Sequence, residues 1–223
     1  MIDRLEPSRT SVQYAVRKPL LDWLRAQDVA GLRVLDVGCG DRPYEKLLHG
    51  AAEIVGFDVP GNPHADLHGS IDALPVEDAS FDVVLCLQVL EHVPDPAAAV
   101  RELRRVVRPG GRVLLSTHGI YPFHPNPDDL WRWTHDGLER LFRDNGDWSS
   151  VAVRPGAGTA ATIAMLIAHL TDLLCKRAHV RALGAPFVAG LNLAGEALDR
   201  AVPMLREPVP GTLHANYHVE AVA

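Results

Sequence analysis

Three closely spaced residues and one distant carboxylate have the types and spacing of a nucleotide-like binding site. Gly38 and Gly40 flank the small Cys39 directly after an apolar run, and Asp58 follows about 20 residues later. Glycines permit positive φ and bring bare backbone against a ligand, while a carboxylate at that distance can accept both hydroxyls of a ribose. Two plainer interpretations stay open: an ordinary tight turn, and a solvated aspartate at a strand end.

A second group of polar and aromatic residues follows the next apolar runs. His118, Tyr121, His124, Asp128 and Arg132 lie in a segment with two tryptophans, a composition that suits a small-molecule pocket. We expect His118 or His124 to act as a substrate contact or general base, and Tyr121, Asp128 and Arg132 to bind substrate. The alternative is a structural loop in which Asp128 and Arg132 form an ion pair at helical spacing. His92 is a further candidate base, with the capping of a helix as its alternative role.

Alternating strands and helices must position these residues. The pattern predicts a mostly parallel sheet with right-handed crossovers, whose strands end where the candidate residues begin. The predicted strands are Arg33–Asp36, Glu53–Phe57, Phe81–Leu87, Arg112–Ser116, Trp148–Val153 and Ala215–Val222, and the predicted helices include Ala97–Val107, His135–Asn145 and a start at Glu45–His49. Apolar residues from Ser11 to Leu24 predict a helical segment that Pro19 kinks or breaks, from which Tyr14 or Arg17 could close over a ligand.

An apolar helical insert separates the last two predicted strands. Residues 157–208 contain Ala- and Leu-rich stretches at Thr159–Cys175 and Phe187–Leu205, far more than a hairpin loop needs. Three uses remain open: a lid over the substrate pocket, a homodimer interface, or a peripheral contact with a membrane surface that carries a lipid-linked acceptor.

Composition sets limits on compartment and partners. The chain has 223 residues, of which 47% are hydrophobic, and a net charge of −6, so we expect one domain over residues 1–223 and no nucleic-acid partner. The three cysteines show no paired spacing, which favours reduced thiols in the cytoplasm, and we recognise no signal peptide. The eleven histidines are scattered without metal-ligand spacing, so we expect no metal site.

Four ordered motifs resemble those of a known family. The runs VLDVGCG, VGFD, LPVEDASFDVVLCLQVLEHVPDP and RELRRVVRPGGRVLLST are similar to those of the class I S-adenosylmethionine-dependent methyltransferases, in their small-molecule branch. The resemblance implies an α/β fold: a Rossmann-like, doubly wound, mostly parallel sheet with an antiparallel last strand and, here, a helical insert.

The resemblance also implies cofactor contacts. Gly38, Cys39 and Gly40 would pass close to the cofactor, Asp36 would fix its amino group, Asp58 would hold its ribose hydroxyls and Val59 would pack on its adenine. Leu87 and Gln88 would face its methionine end. The adenine amino group would meet Asp72, Ser70 or the backbone of Ile71, and these alternatives stay open because the family often has an aspartate where Ser70 stands.

The resemblance implies methyl transfer from S-adenosylmethionine to O, N or C of a small-molecule, glycan or lipid-linked acceptor. One alternative is a catalytically inactive cofactor-binding scaffold, and another is a nicotinamide-dependent oxidoreductase. The absence of a third glycine and the order of the motifs argue against the oxidoreductase.

Overall fold

A computed structural model describes residues 4–223, apart from the side chain of Arg181. The N-terminal residues 1–3 of the predicted domain therefore lie outside the described residues. The strands are β1 Arg33–Val37, β2 Glu53–Asp58, β3 Leu67–His68, β4 Phe81–Leu87, β5 Val107–His118, β6 Ser150–Pro155 and β7 Asn216–Val222. The helices are α1 Tyr14–Arg25, α2 Pro96–Val106, α3 His135–Asp144, α4 Thr159–Arg177 and α5 Arg181–Ala201.

The seven strands form one sheet in the order β3-β2-β1-β4-β5-β7-β6. The first five in that order are parallel, whereas β7 runs antiparallel to both β5 and β6. This arrangement confirms the predicted mostly parallel sheet with an antiparallel last strand. Because the parallel strands all end at one edge, the residues that follow β1, β2, β4 and β5 are brought together there.

Apolar residues on both faces of the sheet explain why the central strands are buried. One core cluster packs α2 and α3 on one face, with Val100, Leu103 and Phe142 fully buried. A second cluster packs α1 on the other face through Leu20 and Leu24. Burial on two faces accounts for the continuous apolar runs of β1 and β4.

The ends of α2 and α3 follow their capping residues. Asp95 caps α2 by accepting the Ala98 N–H at 2.9 Å, with Pro96 in the first turn. Thr134 caps α3 by accepting the Gly137 N–H at 3.1 Å. These two helices confirm the sequence prediction to within one residue at each end.

Several predicted elements differ from the structure. The strand expected at Trp148–Val153 is β6, Ser150–Pro155, and the helical stretch expected at Phe187–Leu205 is α5, Arg181–Ala201. The helix expected from Glu45 is only a 3₁₀ turn, Glu45–Leu47, because the backbone leaves helical geometry at Leu48 and Gly50 follows with a φ of +78°. Pro19 lies inside the single helix α1 and does not divide it into two. The strand expected at Arg112 begins at Val107, where it pairs with Phe81 before an irregularity in register.

The predicted insert is an antiparallel pair of long helices, α4 and α5. Gly195 does not interrupt α5 but lets the two helices approach, because a Cβ there would lie 2.8 Å from Cα of Ala161. Asp199 of α5 accepts the N–H groups of Ala160 and Ala161 at 2.9 and 3.1 Å and so caps the start of α4. Among the described residues, α4 alone is long and apolar enough to cross a membrane, a criterion that core helices of soluble proteins also meet.

Candidate active site

The glycine turn after β1 is bound to the end of β2 by a network around Asp58. The carboxylate accepts the Gly40 N–H at 2.8 Å and its neighbour Val59 N–H at 2.7 Å. Asn62 donates to the same carboxylate at 2.7 Å and to the Gly40 carbonyl at 2.8 Å. The structure thus joins the predicted Gly40 and Asp58, and it adds Asn62, whose position in a Pro- and Gly-rich loop gave no signal in the sequence.

Gly38 lies where the glycine turn meets the end of β4. Its φ is +73°, and a Cβ there would lie 2.3 Å from Cγ2 of Val89. Its N–H and that of the buried Cys39 both donate to the Phe57 carbonyl, at 2.8 and 3.1 Å. Only glycine fits this position, which leaves the backbone bare toward the edge of the sheet.

Asp36 is a buried carboxylate without a hydrogen bond from any described residue. Its side chain is 5% exposed, and burial, with the nearby Asp58 and Glu45, raises its pKa to about 7 against the opposing effect of Arg42. A buried anion in this state is stabilised by an incoming cationic group. The ammonium group of S-adenosylmethionine would provide that charge.

The remaining predicted cofactor residues lie around the same edge. Val59 is 61% exposed at the end of β2, as a residue that packs on an adenine ring should be. Ser70 and Asp72 are exposed and Ile71 is buried, so the choice among them for the adenine amino group stays open. Leu87 is buried at the end of β4.

Gln88 begins the turn that connects the two halves of the site. It has a φ of +59°, and its N–H and side-chain amide donate to the Ser116 carbonyl and hydroxyl at 2.8 and 3.0 Å. The turn continues through Val89, which touches the glycine turn, to His92. This turn therefore links the glycine turn to the second group of predicted residues.

Four of the predicted aromatic residues form one cluster. His118 stacks on Tyr121 with ring centroids 3.9 Å apart, and His124 meets both rings edge-on at 5.9 and 5.8 Å. The His92 ring lies 5.6 Å from that of His124. The structure therefore brings together His92, His118, Tyr121 and His124, as predicted.

Protonation distinguishes these histidines. Burial lowers the pKa of His118 to about 3, with Arg132 and the other histidines adding to the effect, so this ring is neutral near pH 7 and a weak base. Burial also lowers the pKa of His124. His92 Nδ1 contacts the Asp128 carbonyl, and since a carbonyl can only accept, Nδ1 is the donor in this contact. In the neutral tautomer that this contact selects, the lone pair is on Nε2. Contact with the Asp128 carbonyl thus fixes the orientation of the His92 ring within the cluster.

The ion pair between Asp128 and Arg132, one of the two alternatives that the sequence left open, does not form. The segment is not helical there, and Arg132 forms a bidentate ion pair with Asp129 instead. Its other donors reach the carbonyls of Tyr121, Pro122 and Trp131, so all five N–H groups are used within the loop. Arg132 is therefore committed to holding the loop in place, and Asp128 contributes its carbonyl to His92.

Glu91 is a fully buried carboxylate that the sequence did not single out as a site residue. Its Oε2 accepts the Thr117 hydroxyl at 2.9 Å, and its Oε1 lies 3.3 Å from His118 Nε2 without hydrogen-bond alignment. Burial raises the pKa of this carboxyl against the opposing hydrogen bond from Thr117. Its position directly before His92 was the available signal.

Arg17 is the residue of α1 that faces this edge. Its guanidinium is half-buried, and Nη1 has no hydrogen-bond partner among the described residues. Burial lowers its pKa, against the opposing effect of the Tyr44 and Tyr121 phenols. Tyr14, the other candidate of α1, donates instead to Glu196 at 3.2 Å. Tyr14 lines a separate cavity of about 360 Å³ between α1, the β6–β7 pair and α5. None of the predicted cofactor residues lines that cavity.

Fold and site together define a class I S-adenosylmethionine-dependent methyltransferase. A family model described as a methyltransferase domain matches residues 9–152, and the chain belongs to that family. S-adenosylmethionine is the cofactor this assigns, and the buried anion of Asp36 and the bare Gly38 fit it.

Curated relatives are ubiquinone biosynthesis O-methyltransferases. The chain is 40% identical over 114 residues to one from Ralstonia nicotianae, which covers 44% of this chain and 48% of the relative. It is 38% identical over 121 residues to one from Xanthomonas oryzae, which covers 47% and 51%. The chain therefore spans about half the length of the curated relatives it matches.

Solved structures share the fold. The [4+2]-cyclase SpnF matches with a TM-score of 0.59 and 20% identity over 97% of this chain and 85% of its own. A Haemonchus contortus phosphoethanolamine N-methyltransferase, solved with S-adenosylhomocysteine, matches with a TM-score of 0.56 and 15% identity over 99% and 59%. At these identities the likeness extends to the fold alone.

Proposed function

We propose that this protein transfers a methyl group from S-adenosylmethionine to a hydroxyl oxygen of a small apolar acceptor that is carried in or linked to lipid. The observation that carries the proposal is one shared turn: Val89 abuts the glycine turn, and His92, three residues on, contacts the aromatic cluster. A cofactor on one side of that turn and an acceptor on the other would be held next to each other.

The residues of the chain account for binding and proton transfer. Asp36, Gly38, Gly40 and Asp58 would hold the cofactor, which supplies a methyl group on a positively charged sulfur. An acceptor hydroxyl beside the cluster would give its proton to Nε2 of His92, whose tautomer the Asp128 carbonyl fixes. Orientation of the two reactants supplies much of the remaining rate increase.

The acceptor side favours an apolar molecule over a glycan. Arg132 and Asp129 of the loop are already paired with each other, and burial lowers the pKa of His118 and His124, which favours their neutral form. Helix α4 adds His169, whose ring meets Tyr121 edge-on at 5.5 Å, and α4 also carries exposed apolar residues. The names of the curated relatives support O-methylation in a lipid-related pathway. We also propose a cytoplasmic location, which the three free cysteines support.

A labelled methyl group tests the proposal. The purified protein is incubated with methyl-labelled S-adenosylmethionine and either detergent-solubilised isoprenoid phenols or water-soluble phenols. We expect label in the isoprenoid product. Label only in the water-soluble product would reject the acceptor class, and calorimetry without binding of S-adenosylmethionine or S-adenosylhomocysteine would reject methyl transfer altogether.

Asp58→Ala is the matched variant for the binding arm. Loss of the carboxylate should weaken S-adenosylhomocysteine binding at least tenfold, or about 1.4 kcal/mol. Asp78→Ala removes another exposed carboxylate, which pairs with Arg105 far from the glycine turn, and should leave the binding constant unchanged. Equal binding by the parent and Asp58→Ala would refute the ribose assignment.

A further inference from the structure

The outer face of the α4–α5 pair exposes a row of large apolar side chains. On α4, Ile163, Ile167, Leu170 and Leu174 are spaced three and four residues apart and lie on one side. On α5, Leu183 is 76% exposed and Phe187 54% exposed. We call these six residues the hairpin face. Soluble monomers seldom leave contiguous apolar surface of this extent uncovered unless it binds something.

The hairpin face cannot be buried by a rotation of the two helices. Their inner faces meet through small residues: a Cβ on Gly184 would lie 2.9 Å from Sγ of Cys175, and one on Gly195 would lie 2.8 Å from Cα of Ala161. Val188 and Met165 fill the buried side. The apolar row is therefore held outward by close packing on the opposite side.

Charge is distributed unevenly along the helix pair. Residues 173–195 contain no Asp or Glu, and their three cations, Lys176, Arg177 and Arg181, cluster at the connection between the helices, although the whole chain has a net charge of −6. Lys176 pairs with Asp172 at 2.6 Å, a half-exposed pair one turn back on α4 that contributes little stability and can open. The connection is thus a basic, apolar tip on an acidic protein.

The acids of α5 lie at its other end and are engaged within the fold. Glu196 binds Arg9 and Arg200, and Asp199 caps the start of α4. Both acids are therefore engaged away from the basic tip.

We propose that the hairpin face and its basic tip dock on the surface of an anionic lipid bilayer. Apolar side chains flanked by Lys and Arg are the combination that binds such a surface, each basic residue adding electrostatic attraction to the headgroups. A second copy packed through the same two helices would bury the apolar row, but the acids of these helices, Asp172, Glu196 and Asp199, already have partners within the fold. The observations therefore favour lipid over a homodimer.

Docking would bring the acceptor site to its substrate. His169 of α4 contacts Tyr121 of the aromatic cluster, and its neighbour Leu170 belongs to the hairpin face. An apolar acceptor in the bilayer would be one helix away from the candidate base. This purpose rests on the proposed function, but membrane docking itself can be measured without any methyl transfer.

Vesicle flotation tests the docking. The full-length protein is mixed with vesicles of phosphatidylcholine alone or of phosphatidylcholine and phosphatidylglycerol in equal parts. We expect at least about tenfold tighter binding to the anionic vesicles, because each basic residue near the surface contributes about fivefold. The double variant Leu183→Glu/Phe187→Glu should lose at least about tenfold, since two side chains no longer enter the lipid.

Controls separate docking from misfolding and from dimerisation. Met204→Glu changes an exposed apolar residue beyond the end of α5 and should bind vesicles like the parent. The variants must keep the parent's affinity for S-adenosylhomocysteine, which shows an intact fold. The proposal is wrong if the parent protein binds neither kind of vesicle. It is also wrong if the parent is a dimer, Leu183→Glu/Phe187→Glu is a monomer, and neither protein binds vesicles. The parent's own preference for anionic vesicles tests it even if the double variant does not fold.

Discussion

The candidate site has two sides that differ in how their charged groups are bonded. The cofactor side is the glycine turn with its buried carboxyl, and the acceptor side is the aromatic cluster with its loop. On the cofactor side, Asp36 is a buried acid with no hydrogen bond from the described residues, and its pKa is raised to about 7. On the acceptor side, Arg132 is fully bonded to Asp129 and loop carbonyls, and His118 is neutral with a pKa lowered to about 3. The cofactor side thus has a buried carboxyl without a partner, whereas the guanidinium on the acceptor side is fully paired within its loop.

This difference explains how one site can bind a charged cofactor on one side and an apolar acceptor on the other. A charged ligand gains most where the protein has left a buried countercharge unmatched. An apolar ligand binds with the smallest desolvation cost where it does not bury an unpaired charge of the protein. Variants on the two sides should therefore change different measured quantities, which makes the comparison testable.

The largest effect is expected on the acceptor side, from His92→Gln. The glutamine amide can still donate to the Asp128 carbonyl, so the loop stays in place, but no base remains at Nε2. We expect kcat to fall about 100-fold or more, as general bases usually contribute 10²–10⁴. The affinity for S-adenosylhomocysteine should stay within about twofold by calorimetry, because binding lies on the other side.

His49→Gln is the control for that variant, since His49 is exposed and lies outside both halves of the cleft. It should keep the parent's kcat and affinity. An unchanged kcat for His92→Gln would mean that orientation alone drives transfer and that the acceptor side contains no required base. A fall in affinity as large as the fall in kcat would remove the division between the two sides.

Gly38→Ala should produce the reverse pattern. The added Cβ would lie 2.3 Å from Val89 Cγ2 at a φ of +73°, so the glycine turn must shift away from the cofactor. We expect affinity for S-adenosylhomocysteine to fall at least about 100-fold, or ~2.7 kcal/mol.

Gly211→Ala is the control that separates the effect of backbone strain from the effect of a clash beside the cofactor. Gly211 has a φ of +94°, and a Cβ added there would have no neighbouring atom within 4 Å, so this change adds backbone strain without a clash. It should cost about 1 kcal/mol of stability and leave cofactor affinity unchanged. If Gly38→Ala lowers only the unfolding temperature, Gly38 is a structural glycine and not part of the cofactor side.

The cofactor side could be predicted from sequence because its residues are short-range and ordered. Gly38, Gly40 and Asp58 follow strands whose apolar runs are plain, and parallel pairing brings those strand ends together. Asn62 escaped prediction because it lies in an irregular loop, where its contact with Asp58 depends on the path of the backbone.

The acceptor side was harder to predict because it is built from a loop. Periodicity suggested that Asp128 pairs with Arg132, but without a helix the chain path selects Asp129. Burial of Glu91 beside His118 joins a turn after β4 to the end of β5, which spacing along the chain does not encode. The predicted helical insert was found, whereas its apolar outer face required the packing of α4 on α5.

The smallest effect is expected from Asp36→Asn, and it depends on pH. Binding of a cationic group favours the ionised carboxylate, so the parent's affinity for S-adenosylhomocysteine should rise as pH increases through about 7. The neutral amide cannot follow this rise. We expect the variant to bind about fivefold more weakly at pH 8, or ~1 kcal/mol, and like the parent at pH 5.5.

Stability without ligand should change in the opposite direction. A carboxyl whose folded pKa is raised from 3.8 to about 7 holds its proton in the folded state where the unfolded chain has lost it, so stability falls as pH rises between those values. Asp36→Asn lacks that loss, and above pH 7 it should unfold at a higher temperature than the parent, by about 2–4 °C for each kcal/mol in a domain of this size. A variant that is both weaker in binding and less stable at pH 8 would mean that Asp36 is held by partners within the fold, and the contrast between the two sides of the cleft would fail. If Asp36→Asn is more stable than the parent but binds S-adenosylhomocysteine more weakly, Asp36 contributes to ligand binding and destabilises the ligand-free fold.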